Sequence, residues 1–170
     1  MIKTFLTQIA LTSLTLLFSC NANTGSANSG AEADSLKTQM KELLSEQQKG
    51  EANKKLVAEV YQQLFGDKGI SAIDKYMTEG YIQHNPALPD GKEALKQGAS
   101  QWFKGAPKEK VDIQHLNAEG DFVYIHTKSK MGPKTVSIID IFRIENGKIA
   151  EHWDVIQEVP EKSANPHPMF

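Results

Sequence analysis

T-V-S-I-I-D-I-F-R-I-E-N-G-K-I-A-E-H-W-D-V-I-Q, residues 135–157, alternates side chains about a central Asn146-Gly147. Period-two patterning belongs to strands, and Asn-Gly between two such runs is the strongest short-range hairpin signal. The stretch therefore predicts two antiparallel strands, 135–145 and 148–157. Working back toward the N-terminus, 121–131 and 111–118 follow the same grammar, divided by turn signals at Glu119-Gly120 and Gly132-Pro133. Before Pro107 the period changes to that of helices. Helices followed by an antiparallel meander predict an α+β domain, the helices covering one face of the sheet.

Three helices are expected ahead of the strands. Residues 51–65 carry Leu56, Val57, Val60, Tyr61 and Leu64 on one wide apolar face, and Gly66 is read as the helix end. A short helix is predicted over 70–77. Tyr81 to Pro86 reads as an extended piece, because a proline pushes the residue before it out of helical geometry. Asp90 with Glu93 has the spacing of a capping box for a third helix, whose inner face is Leu95, Ala99, Trp102 and Phe103. Farther back, 33–49 is weakly helical, with Leu36, Met40, Leu43 and Leu44 in a narrow stripe, and Gly50 is expected to separate it from the domain. Asn21 to Gly30 is small and polar and reads as a tether.

Hairpin geometry assigns side chains to faces. A three-residue Gly132-Pro133-Lys134 loop sets His126 opposite Asp140. A bulged Glu145-Asn146-Gly147 turn sets His152 opposite Asp140, with Asp154 on the same face. That face would carry Phe122, Tyr124, His126, Ile138, Asp140, Phe142, Ala150, His152 and Asp154. A two-residue Asn146-Gly147 turn would put Trp153 there instead; the bulged form is preferred because buried polar groups need one another. The opposite face would hold Val123, Ile125, Ile139, Ile141, Ile149, Trp153 and Val155. Three helices cannot cover both faces, so a second copy of the sheet is expected over this one, making a homodimer.

Composition excludes several classes. The net charge is −2 and Arg143 is the only arginine, so no dense basic footprint for nucleic acid exists. One cysteine allows no intramolecular disulfide and no cysteine-based zinc site. Residues 1–20 read as a signal peptide: Lys3 precedes an apolar run over 9–18, which ends in Leu17-Phe18-Ser19-Cys20. This ending resembles the lipobox of bacterial lipoproteins. It implies cleavage before Cys20, lipidation of its thiol, and a domain held in the bacterial cell envelope, on the periplasmic or outer-membrane face, by the lipid anchor alone.

D-I-F-R-I-E-N-G-K-I at 140–149 and E-H-W-D-V-I-Q at 151–157 resemble the SnoaL-like polyketide cyclase branch of the NTF2-like superfamily. Y-I-Q-H-N-P at 81–86, P-D-G-K-E at 89–93 and S-A-N-P-H-P-M-F at 163–170 fit the same branch. The resemblance covers about 51–170. It implies a curved antiparallel sheet with three helices enclosing a cone-shaped pocket, in a homodimer. The branch's cyclases carry out an intramolecular aldol condensation without metal or cofactor, using an aspartate as acid/base beside a histidine. Asp140 and His126 look like that catalytic pair, and His84, His152 and Asp154 look like further pocket residues, with Tyr124 and Phe142 in the wall.

Each reading has a plainer alternative. Asp140 and His126 could be a buried pair that fixes strand register. His84, before Asn85-Pro86, could simply cap a strand end. His126, His152, Asp140 and Asp154 together offer a donor set for zinc or iron; the resemblance implies no metal. Two functions follow from the chain: a cofactor-independent cyclase or isomerase acting on a small apolar carbonyl compound, or a lipoprotein that binds an apolar ligand without turning it over.

Overall fold

The structure, a computed structural model, describes residues 26–170; the expected signal peptide, Cys20 and the start of the expected tether lie outside the described residues. The chain divides into two units at Met40/Lys41. Up to Met40 the described residues are helical, with Leu36 and Met40 exposed. The unit from Lys41 onward contains the sheet.

Helix α1 runs over Ser26–Tyr61. Gly50 lies inside it rather than breaking it, and residues 26–30, expected to be tether, are helical. A single interior glycine costs a helix only about 1 kcal/mol, so Gly50 is a weak punctuation mark. After Tyr61 the helix widens into a π turn, Gln62–Gly66, closed by Asp67 N–H to Gln62 C=O at 2.7 Å. Gly66 is needed for space. A Cβ there would meet the carbonyl oxygen of Glu109 at 2.8 Å, where the 108–110 segment docks through Glu109 N–H to Gly66 C=O. Helix α2 is Ser71–Tyr76 and α3 is Lys92–Trp102. The expected capping box does not form. Asp90 instead accepts from the amides of Gln83 (2.7 Å) and Gly91 (2.9 Å), pinning the end of β1.

The five strands are β1 (Met77–Gln83), β2 (Asp112–Glu119), β3 (Phe122–Met131), β4 (Lys134–Glu145) and β5 (Lys148–Glu158), ordered β1-β5-β4-β3-β2. The last four form the expected antiparallel meander, and β1 joins β5 in parallel, so the sheet is mixed. Val57, Val60 and Tyr61 of α1 and Leu64 of the π turn pack with Ile73 and Tyr76 of α2 and with Val123, Ile125, Phe142, Ile144 and Ile149 of the sheet.

Register departs from expectation at both hairpins. Met131 pairs with Lys134, leaving a two-residue Gly132-Pro133 turn, so Ile125 rather than His126 stands across from Asp140. A one-residue slip moves a strand's side chains to the other face. Val123, Ile125 and Thr127 therefore face the helices and are buried, while Phe122, Tyr124 and His126 face away. At the second hairpin Glu145 pairs with Lys148, and Asn146 (φ 50°) and Gly147 (φ 71°) form the tight turn. A bulge follows: Ile144 pairs with Ile149 but Arg143 with Glu151, so Ala150 is the extra residue. Asp140 consequently stands opposite Asp154, and Phe142 opposite His152. His152 and Asp154 thus share the face of Asp140, as expected, by a different route.

Candidate functional site

Asp140 lies in the middle of β4 and is buried. Its side chain retains 5% of its surface, and that of His152 retains 12%. Strand alternation aims Asp140 at α1, whose last residue, Tyr61, donates its hydroxyl to Asp140 Oδ2 at 2.6 Å. On the other side His152 Nε2 meets Asp140 Oδ1 at 2.8 Å. Phe142 stacks beside the imidazole, ring centroids 4.9 Å apart, and meets Tyr61 edge-on at 6.4 Å.

The motif Y-I-Q-H-N-P supplies the rest. Tyr81 and Gln83 alternate inward and are buried, whereas Ile82 and His84 alternate outward and are exposed. Gln83 Oε1 receives the Asn85 backbone N–H at 2.9 Å and also lies 2.9 Å from His152 Nδ1, while Gln83 Nε2 donates to Tyr81 Oη at 3.0 Å. Asn85 Oδ1 accepts from the Ala87 amide at 2.7 Å, so its Nδ2 donates to Asp154 Oδ2 at 2.6 Å. Pro86 holds Asn85 extended, which is why the turn presents these groups to β5.

The two buried phenols keep their protons far above the ordinary range. For Tyr61 the cause is burial first, then the charge of Asp140 and their hydrogen bond. For Tyr81 it is burial, then the negative charges of Asp140 and Asp154. Both hydroxyls therefore stay protonated at neutral pH and serve as hydrogen-bonding groups.

The residues singled out in the sequence divide between the two faces. Asp140, His152, Asp154 and Phe142 come together. His126 does not join them. On the far face its Nδ1 lies 3.1 Å from His115 Nδ1 and its Nε2 2.7 Å from Ser137 Oγ, and the Phe170 ring stacks at 5.8 Å. Tyr124 stands exposed on the same far face, across from Ile141. His84 lies there too, 3.0 Å from Glu151 and stacked on Trp153 at 4.3 Å. The one-residue difference at Gly132-Pro133 accounts for His126 and Tyr124 together. Sequence reasoning missed Tyr61, Gln83 and Asn85 as site residues. The alternation of Tyr81, Gln83 and Asn85 was the available signal for two of them; Tyr61, at helical spacing among aliphatics, offered none.

Asp140, His152 and Asp154 each offer a ligand-type atom within 4.8 Å of the others. A cation there would have to displace the His152–Asp140 hydrogen bond, and the expected fourth member, His126, is on the opposite face. An open depression lined by Leu88, Pro89, Gly98 and Gln101 shares no residue with this cluster.

The model of the SnoaL-like polyketide cyclase family matches residues 55–163. No curated protein matches. Among solved structures, TsrD from Streptomyces laurentii is 22% identical, with a TM-score of 0.51 over 62% of this chain and 87% of that one. An NTF2-like protein from Burkholderia xenovorans is 13% identical, with a TM-score of 0.55 over 67% of this chain and 89% of its own. An epoxide hydrolase of M. tuberculosis is 16% identical, with a TM-score of 0.51 over 64% and 85%. At these identities the likeness shows a common fold.

Proposed function

Since the chain belongs to the SnoaL-like polyketide cyclase family, we propose that it is a cofactor-independent acid–base enzyme of aldol-condensation, cyclase or isomerase type, acting on a small apolar carbonyl compound. Asp140 carries this reading: a buried carboxylate clasped between a phenol that donates and an imidazole. Removing a proton next to a carbonyl needs a base at the carbon and a donor at the oxygen that becomes an enolate. Asp140 is the base and His152 the donor, the part given to His126 on sequence grounds. Asp154, held by Asn85, places a second carboxyl group on the same face. The rings of Phe142 and Tyr61 supply an apolar wall.

The protein acts in the bacterial cell envelope, anchored by lipid at Cys20, as a homodimer joined through the far face of the sheet. Phe122, Tyr124, Ile139 and Val155, all exposed on that face in the single chain, support the dimer. Turnover of a 1,3-dicarbonyl compound by the purified chain, abolished in Asp140→Asn, tests the enzyme reading. A ligand retained through purification with no turnover in the wild type would overturn it in favour of a binding lipoprotein.

A further inference from the structure

Gln83 touches His152 on the side away from Asp140, and its orientation is not free. The Asn85 backbone amide can only donate, so the Gln83 atom 2.9 Å from it must be the carbonyl oxygen Oε1. The same oxygen lies 2.9 Å from His152 Nδ1. An oxygen cannot donate, so His152 Nδ1 must carry a hydrogen. Turning the imidazole over would place carbons at both contacts and lose both bonds.

That leaves Nε2, 2.8 Å from Asp140 Oδ1. Two lone pairs cannot face each other at this distance, so a proton lies between them. Tyr61 cannot be its source, because its hydroxyl hydrogen is committed to Oδ2. The pair thus holds one proton beyond the Nδ1 hydrogen, either on the imidazolium or on the carboxyl group.

We propose that Gln83 is a positioning residue that locks His152 with hydrogen on Nδ1, and that the single proton shared by His152 Nε2 and Asp140 is the one the site exchanges with substrate. This rests on the enzyme reading above. The stoichiometry closes without any other reagent. The carboxylate takes hydrogen from the carbon, and the C–H electron pair becomes the C=C bond. The carbonyl π pair takes the proton from Nε2 and becomes the enol O–H. The pair ends with one shared proton, as it began, and the reverse step resets it. The lock runs back through the sequence: Pro86 keeps Asn85 extended, the Asn85 amide orients Gln83, and Gln83 orients His152.

The test is long-range proton–nitrogen correlation on the full chain labelled with 15N-histidine, the His152 signals being identified by their loss in His152→Gln. At neutral pH the wild type should carry hydrogen on Nδ1. Gln83→Leu should leave Nδ1 bare, with the shared proton on Nε2 facing Asp140, and Gln83→Glu, which still accepts, should restore the Nδ1 hydrogen. Turnover in Gln83→Leu should fall about tenfold or more through kcat, with little change in KM, as when the group orienting a catalytic histidine is removed. A wild-type His152 with bare Nδ1, or Gln83→Leu signals identical to the wild type, would overturn the lock. If Gln83→Leu does not fold, the wild-type spectrum alone decides. A wild type without turnover would overturn the enzyme reading, and an Asp140→Asn protein with full turnover would overturn the exchange of the shared proton with substrate, while either leaves the tautomer result standing, so the failures are distinct.

Discussion

Tyr61, the final residue of α1, and Asp140, in the middle of β4, share a 2.6 Å hydrogen bond that ties the long helix to the sheet at a buried carboxylate. Tyr61→Phe removes the donor and leaves Oδ2 without this partner in an apolar setting. The expected cost is about 1–3 kcal/mol, the penalty for a buried acceptor left unsatisfied. Urea denaturation reads it directly, and a variant as stable as the wild type would mean that this bond contributes nothing.

Asp140→Asn should behave differently. The amide NH2 can donate to His152 Nε2 while the amide oxygen still accepts from Tyr61, so every bond survives without the shared proton. Stability is expected to change little, whereas turnover should drop by about a hundredfold or more, the range for losing a general acid or base. Parallel melting curves and rate measurements separate the effects. Unfolding at unchanged activity per folded molecule would assign Asp140 a structural role.

Assembly can be probed at Ile139, which is 46% exposed in the single chain. Ile139→Glu should therefore leave the chain folded while placing a charge in the sheet-to-sheet interface of a homodimer. Light scattering should report a dimer for the wild type and a monomer for the variant. A monomeric wild type would end the dimer proposal.

The far face also carries a pH dependence. Burial, and then the charge of His115, hold the His126 imidazole below its ordinary range of about 6.5. The folded chain thus binds the proton less readily than the unfolded one. The associated stability is complete above the unfolded value and is lost as pH falls through the lower folded value. His115 on β2 and Lys128, which lies over the Phe170 ring, are the cationic groups nearby. Melting temperature should fall less between about pH 7.5 and 5 in His126→Asn than in the wild type. Equal slopes would contradict the depressed pKa.

The proposed lipid anchor rests on Cys20, outside the described residues. Cys20→Ser should leave the precursor uncleaved by lipoprotein signal peptidase and without diacylglycerol, as mass spectrometry of the purified chain would report. Lipid on the variant would refute the anchor.

Much of this molecule was legible in its sequence. Alternation over 111–157 gave the four antiparallel strands and the α+β class, because a half-buried strand must repeat every two residues. Face assignment was harder. It depends on whether the loop has an odd or an even number of residues, and Gly132-Pro133-Lys134 is compatible with loops of two or three. Choosing three moved Tyr124 and His126 to the wrong side and sent Val123 and Ile125 with the exposed residues. At the second hairpin the turn was shorter than expected, but the bulge compensated, and His152 and Asp154 came out on the correct side. Tyr61 could not be read as a site residue at all. Its role depends on a contact 79 positions away, and locally it resembles its aliphatic neighbours.

The bulge at Ala150 has a consequence for how this hairpin could change over generations. Because Ile144 pairs with Ile149 and Arg143 with Glu151, deleting Ala150 would close these pairs into regular alternation and leave His152 and Asp154 on the face of Asp140. Position 150 is therefore where this hairpin should tolerate a single-codon deletion, whereas one in the regular pairing beyond it would turn the downstream residues to the other face.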